Sequence, residues 1–114
     1  MIAGGLVGLP ELRTLIPEDR SRVEEMTRAV GLFWDYEIAL ALEVFDEATG
    51  ANPAGRIDPD YETTGVAIEG LLMGWACWGP TPDQPGTFDL YWIVVDTTAQ
   101  GQGVGTVLLG EMDR

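Results

Sequence analysis

Leu90-Tyr91-Trp92-Ile93-Val94-Val95, Asp96-Thr97-Thr98-Ala99 and Gln100-Gly101-Gln102-Gly103-Val104-Gly105-Thr106-Val107-Leu108-Leu109 lie close to the end of a 114-residue chain. The first piece is an unbroken apolar run that reads as a strand, and the second turns away from it. The third places glycines at alternate positions, where the backbone can approach a ligand closely, and then resumes an apolar, helical run. Free N–H groups in a helix's first turn, with the positive end of its dipole, favour an anion there. A phosphate cradle at a helix start is the expectation.

Working back from that strand, Tyr61 to Ile68 and Leu71 to Trp78 are β-rich runs joined across Glu69-Gly70, a hairpin signal. Gly79 to Gly86 is a rigid loop with three prolines, and a strand begins at Thr87. Earlier still, Leu12 to Ile16 alternate as a short first strand, and Pro17-Glu18-Asp19 opens a helix. Val23, Met26, Thr27 and Val30 continue that helix until Gly31 breaks it. Trp34, Ile38, Leu42 and Phe45 recur at helical spacing as a second apolar stripe, closed by the loop Gly50 to Gly55. The stripe is expected in the core, Trp34 and Phe33 included. The order is strand, helix, helix, strand, strand, strand, helix, an α/β arrangement with an antiparallel core and one strand feeding a helix. Residues 1–114 form one domain, and 1–10 are expected to be a flexible extension.

Composition excludes much chemistry. There is no histidine, which removes Ser-His-Asp and Cys-His catalysis and any imidazole base. All six basic residues are arginine, so neither a P-loop lysine nor a Schiff base is available. Cys77 is the single cysteine and is expected as a small core residue, with no metal site built on thiolates. A net charge of −13 argues against nucleic acid and anionic membrane as partners, and speaks mainly to solubility. No apolar run is long enough to span a bilayer, and no basic segment precedes the apolar N-terminus, so a cytoplasmic location is the default.

Glycine-rich turns serve several chemistries. The dinucleotide pattern fails because Thr106 stands where its last glycine belongs, and a P-loop needs a lysine. What remains is Gln-x-x-Gly-x-Gly after a strand and at the start of an amphipathic helix, beside the simpler reading of a tight turn.

In this order and on these residues, Thr87 to Asp96 followed by Gln100 to Leu109, the chain resembles the fourth strand and motif A of the GNAT acyltransferase superfamily. The resemblance covers Leu12 to Arg114 and implies a mixed, largely antiparallel sheet with helices on both faces. It implies acetyl-CoA as co-substrate and no metal. Backbone groups of Ile93, Val94 and Val95 would hold the pantetheine arm, and the amides of Gly101, Gln102, Gly103, Val104, Gly105 and Thr106 the pyrophosphate. The oxyanion donor would be the Val94 amide. Asp89 stands where some members carry a general base, and in an even strand it would share a face with Tyr91 and Ile93. Tyr61, Glu62 and Tyr91 are candidates for the acceptor side, and the loop Val30 to Tyr36 for contact with the acceptor.

The implied activity is transfer of an acetyl group to a primary amine of a small molecule or peptide, with a homodimer left open. Arg114 falls about two turns into the helix that the loop opens, at 1.5 Å per residue, so a C-terminally truncated domain is expected. The family's thiolate-protonating tyrosine lies beyond that point, so the piece alone is expected to be a poor catalyst with an unpaired apolar edge at Tyr91 to Val95. The alternative is a noncatalytic CoA- or nucleotide-binding module, or a fragment completed by another chain.

Overall fold

Glu69 and Gly70 both take positive φ, 53° and 81°, the backbone that a two-residue hairpin turn requires. They join β2 (Glu62–Ile68) to β3 (Leu71–Pro80), and β4 (Phe88–Val95) returns antiparallel along β3. A three-residue β1 (Glu11–Arg13) pairs with the other side of β2, giving one four-stranded antiparallel sheet in chain order. The helices are α1 (Arg20–Ala29), α2 (Asp35–Thr49) and α3 (Val104–Met112), with short 3-10 turns at Pro17–Asp19 and Thr97–Ala99. The computed structural model describes residues 8–112. Most of the expected N-terminal extension, residues 1–7, and the last two residues lie outside these.

The sheet is covered on both faces. Val23, Met26, Ile38, Leu42 and Phe45 of α1 and α2 pack with Trp75, Cys77 and Val94 on one face. Val104 and Leu108 of α3 pack with Val66, Ile68, Met73, Ala76 and Trp78 on the other. The mixed α/β arrangement with helices on both faces is therefore as expected. Because β3 is buried on both sides, it reads as a continuous apolar run.

Four details depart from the sequence reading. β1 stops at Arg13, because Asp19 turns back to accept from the Ile16 amide at 2.9 Å and from the Arg13 guanidinium at 2.7 Å, which draws 14–16 off the ladder. Trp34 is 72% exposed rather than in the core. It is the residue before α2, held extended at ψ 159° while the Glu37 carboxylate accepts from its amide at 2.8 Å, so it never joins the helical stripe. The other two are β-bulges. Val66 pairs with Gly74 and Ala67 with Leu72, leaving Met73 as an extra residue, and Cys77 pairs with Trp92 and Trp78 with Leu90, leaving Tyr91 extra.

Gly74 lets α3 lie on the sheet. A Cβ there would stand 2.5 Å from Val104 Cγ1 and 3.1 Å from the Val94 carbonyl oxygen, so only glycine admits the first turn of α3 so near β3.

Cys77 is fully buried, and that burial pushes its thiol up to about 12. It is a core residue, as expected. We expect no reaction with a disulfide reagent in the native protein at neutral pH and full reaction in denaturant; labelling of the folded chain at the rate of a free thiol would contradict the packing.

Candidate functional site

β4 ends at Val95, and the chain turns through Thr97–Ala99 before α3 begins at Val104. The turn is capped by Asp96: its carboxylate accepts from the Thr98 amide at 2.9 Å and from the Thr98 hydroxyl at 2.6 Å. Its carbonyl accepts from the Ala99 amide at 2.9 Å, and its own amide donates to Met73 of β3 at 2.8 Å. Gly101 and Gly103 then take φ of 85° and 86°, a region that L side chains avoid, and a Cβ at either would meet open space. These glycines are there for the backbone, not for packing.

The result is a cleft of about 490 Å³ lined by Val95, Ala99, Gln100, Gly101, Gly103, Val104, Gly105 and Thr106. Among the described residues, the amides of Gly101, Gly103, Val104, Gly105 and Thr106 make no well-aligned hydrogen bond to another backbone group, whereas the Val107 amide closes the first helical bond onto the Gly103 carbonyl. Gln102 differs from its neighbours. Its amide donates to the Ala99 carbonyl at 3.2 Å and its side-chain amide to the Thr98 carbonyl at 3.2 Å. The expected place for the Gln102 amide in the cradle is thereby corrected: that residue closes the turn, and its neighbours keep their donors free. The positive dipole end of α3 adds to the same attraction for an anion.

Strand β4 pairs with β3 alone among the described residues, leaving its other edge open. The bond from the Asp96 amide to Met73 fixes which backbone groups point which way. In an antiparallel ladder they alternate, so Val94 and Trp92 also face β3, while Ile93 and Val95 face the open edge. The Gln100 side-chain amide reaching the Val95 carbonyl at 3.5 Å agrees with that phase. The Val94 amide expected as an oxyanion donor is thus turned into the ladder.

The Tyr91 bulge also moves Asp89. With Asp89 paired to Gly79 and Ile93 to Ala76, the extra residue changes the side-chain parity. Asp89 shares the face of Trp92 and Val94, on the α1–α2 side, and not that of Ile93. Its carboxylate accepts from the Thr81 hydroxyl at 2.9 Å. Tyr91 lies over Gly79 on that face and meets Tyr61 edge-on at 6.0 Å. Partial burial and then the Asp89 charge raise the Tyr91 pKa above its usual value, which keeps the phenol protonated.

Two further clefts flank this strand. One, of about 510 Å³, is lined by Val30, Leu32 and Phe33 of the α1–α2 loop and by Ile93, Val94, Val95 and Gln100. It is apolar and brings that loop against the open edge. The other, of about 460 Å³, lies between Asp58, Asp60, Tyr61, Thr81, Asp83 and Tyr91. Glu62 does not line it; it lines a separate hollow with Leu15, Ile57 and Tyr61.

Asp96 is nine-tenths buried in this arrangement. Burial alone would raise its pKa, but the Thr98 hydrogen bonds and the Arg22 charge outweigh that and hold it below the usual carboxylate value. A carboxyl with a lowered folded-state pKa contributes stability above its unfolded pKa and loses it as pH falls through the folded one. Urea unfolding should therefore show wild type losing stability between pH 5 and the folded pKa more steeply than Asp96→Asn, about pH 4 being the ordinary midpoint. Parallel curves would remove that assignment.

Residues 20–113 match the acetyltransferase (GNAT) family model. A crystal structure of a GNAT-family acetyltransferase from Desulfovibrio desulfuricans is similar at 33% identity and a TM-score of 0.76, over 90% of this chain and 63% of that one. The chain thus spans less than two-thirds of that relative's length. The PaiA N-acetyltransferase of Thermoplasma acidophilum, solved in complex with coenzyme A, aligns at 16% identity and a TM-score of 0.62, over 91% and 69% of the two chains. A ribosomal-protein-alanine N-acetyltransferase from Brucella melitensis aligns at 15% and 0.63, over 91% and 69%. None of the curated protein sequences matches the chain. The glycine turn that the sequence placed after an apolar strand is therefore that of a shared fold, and the chain belongs to the GNAT acetyltransferase family.

Proposed function

We propose that this chain carries the acetyl-CoA site of an N-acetyltransferase that moves an acetyl group to a primary amine. The observation that carries the reading is the set of amides of Gly101, Gly103, Val104, Gly105 and Thr106, without well-aligned backbone acceptors, around one cleft. A diphosphate brings several negative charges, and fixed N–H donors at a helix start stabilise them without a cation. The pantetheine arm then runs along the open edge of β4, where Ile93 and Val95 offer their backbone groups and Val30, Leu32 and Phe33 form an apolar wall.

The chemistry is attack of the amine on the thioester carbonyl: the C–N bond forms, the C–S bond breaks, and coenzyme A leaves as a thiolate that takes its proton from solvent. The edge-facing amide of Ile93 replaces that of Val94 as the donor to the developing oxyanion, since a donor in the ladder is already committed. Asp89, on the α1–α2 face, takes the amine's proton through water. The cleft of Asp58, Asp60, Asp83, Tyr61 and Tyr91 lies beside it, and its charge and ring faces suit an amine that arrives as a cation. A cytoplasmic location belongs to the same proposal.

Calorimetric titration with CoA, and thiol release from acetyl-CoA over a panel of amines, test this. Binding of CoA with amine-dependent release is expected; failure to bind CoA would overturn it. The open β4 edge favours one second reading, a CoA-binding unit that moves no acetyl group until another strand closes the slot, and binding without release would select it.

The loop's own residues, 100–106, include no cation: Gln102 and Thr106 flank its glycines. A guanidinium would add a full positive charge to donors that are all neutral, so Gln102→Arg is expected to tighten CoA binding and steepen its fall with salt. Equal affinities of wild type and Gln102→Arg at both a low and a high ionic strength would exclude a backbone-dominated cradle.

A further inference from the structure

The amides of the cradle are aimed by a turn, and the turn is tied to a helix on the opposite face of the sheet. Arg22, in the first turn of α1, reaches across the end of the sheet. Its Nε donates to the Leu72 carbonyl at 2.9 Å, beside the β3 bulge, and its Nη2 to Asp96 Oδ2 at 2.9 Å. Nη2 also lies 3.5 Å from the Met73 sulfur, and Nη1 is paired with Glu25. The guanidinium is thus spread over three elements, which only a planar fork can do; lysine offers a single point charge.

Asp96 divides its carboxylate. Oδ2 takes Arg22, and Oδ1 takes the amide and hydroxyl of Thr98. Thr98 and Ala99 then hold Gln102 by their carbonyls. Gln102 sits between Gly101 and Gly103, whose positive φ values set where the free amides point. A continuous hydrogen-bonded chain therefore runs from α1 to the cradle.

We propose that Arg22 is a positioning residue for the CoA diphosphate loop, acting through the Asp96 carboxylate that caps the turn before Gly101. This rests on the CoA reading above. Arg22 is not among the residues that line the cleft; by holding the Asp96 carboxylate it fixes the turn, so the loop's amides are presented before the ligand arrives. In a loop without a cation of its own this matters more, because poorly aimed neutral donors have no charge to compensate for them. Arg22 also lies on the helix that leads into the Val30 to Phe33 wall, so the diphosphate loop and the acyl groove share one support.

The test compares wild type with Arg22→Gln, Arg22→Lys and Asp96→Asn in the full-length protein. Arg20→Gln serves as the control, because it breaks the Arg20–Asp46 pair on the same helix without touching the turn. Arg22→Gln is expected to weaken CoA binding roughly 3- to 30-fold, the range for coupling through a packed network, with acceptor KM unchanged. Arg22→Lys should restore little, and the double variant with Asp96→Asn should lose no more than the larger single change. Amide exchange, read without ligand, should quicken at Thr98, Ala99 and Gln102 in Arg22→Gln while the β2–β3 amides keep their protection. Unchanged exchange at the turn, or an equal loss of affinity in Arg20→Gln, would overturn the proposal. Faster exchange in a protein that binds no CoA would instead overturn the CoA reading on which it rests.

Discussion

Gly103→Val is expected to lower CoA affinity by about 100-fold or more while the fold survives, since loss of two charge-assisted hydrogen bonds at about 1.5 kcal/mol or more each reaches that factor. Gly103 holds φ at 86°, and a side chain there costs about 1–2 kcal/mol, more for a branched one. A Cβ there meets no atom within 4 Å, so the cost of the substitution lies in the backbone conformation and not in a clash at Cβ. The strain has one cheap release, rotation of the turn, and that rotation re-aims the amides of Val104 and Gly105 out of the cleft. Gly110→Ala, in α3 with equally open surroundings, is the contrast: it should stabilise the helix by about 0.5–1 kcal/mol and leave binding alone. Calorimetry with CoA and thermal melts on both variants decide the matter. A Gly103→Val protein that binds as wild type would mean that the glycine turn is only a turn.

Trp75→Ala carries the largest expected loss of stability, about 3–5 kcal/mol, which is most of what a small domain has. The ring is fully buried at the centre of the α1–α2 face. It meets Phe45 edge-on, centroids 6.3 Å apart at 87°, and its indole N–H donates to the Thr27 hydroxyl at 3.1 Å. Thr27 donates its own hydroxyl to the Val23 carbonyl at 2.7 Å, so helix and sheet are joined by a polar pair inside an apolar core. Trp75→Phe keeps most of the volume and deletes the donor, and should cost about 1–2 kcal/mol. Urea midpoints for the two variants measure this; alanine and phenylalanine equal to wild type would place Trp75 outside the core.

Much of this molecule was readable residue by residue. The spacing of Val23, Met26 and Thr27, and of Ile38, Leu42 and Phe45, named the buried stripes of α1 and α2. Glu69-Gly70 named the hairpin, and the alternate glycines after Val95 named the left-handed turn before α3. Helical spacing takes in Trp34 because it does not say at which residue the helix starts. The Glu37 carboxylate settles that by bonding back to the Trp34 amide. Arg22 carried no signal at all: an arginine on an exposed-looking helix position is indistinguishable from its neighbours until Asp96, seventy-four residues later, comes to meet it.

Local order in the chain therefore determined the elements, their sequence and the character of the glycine loop, because helix and strand periods and left-handed turns depend on residues within a few positions of one another. Pairing across the sheet decided the rest. The bulge at Tyr91 exists only because Cys77 and Trp78 lie opposite Trp92 and Leu90, and one extra residue was enough to turn Asp89 to the other face. Likewise the edge-facing amides are Ile93 and Val95, with Val94 in the ladder, because the Asp96 amide finds the Met73 carbonyl. Side-chain parity and hydrogen-bond phase are properties of two strands together, so neither is written in one strand alone.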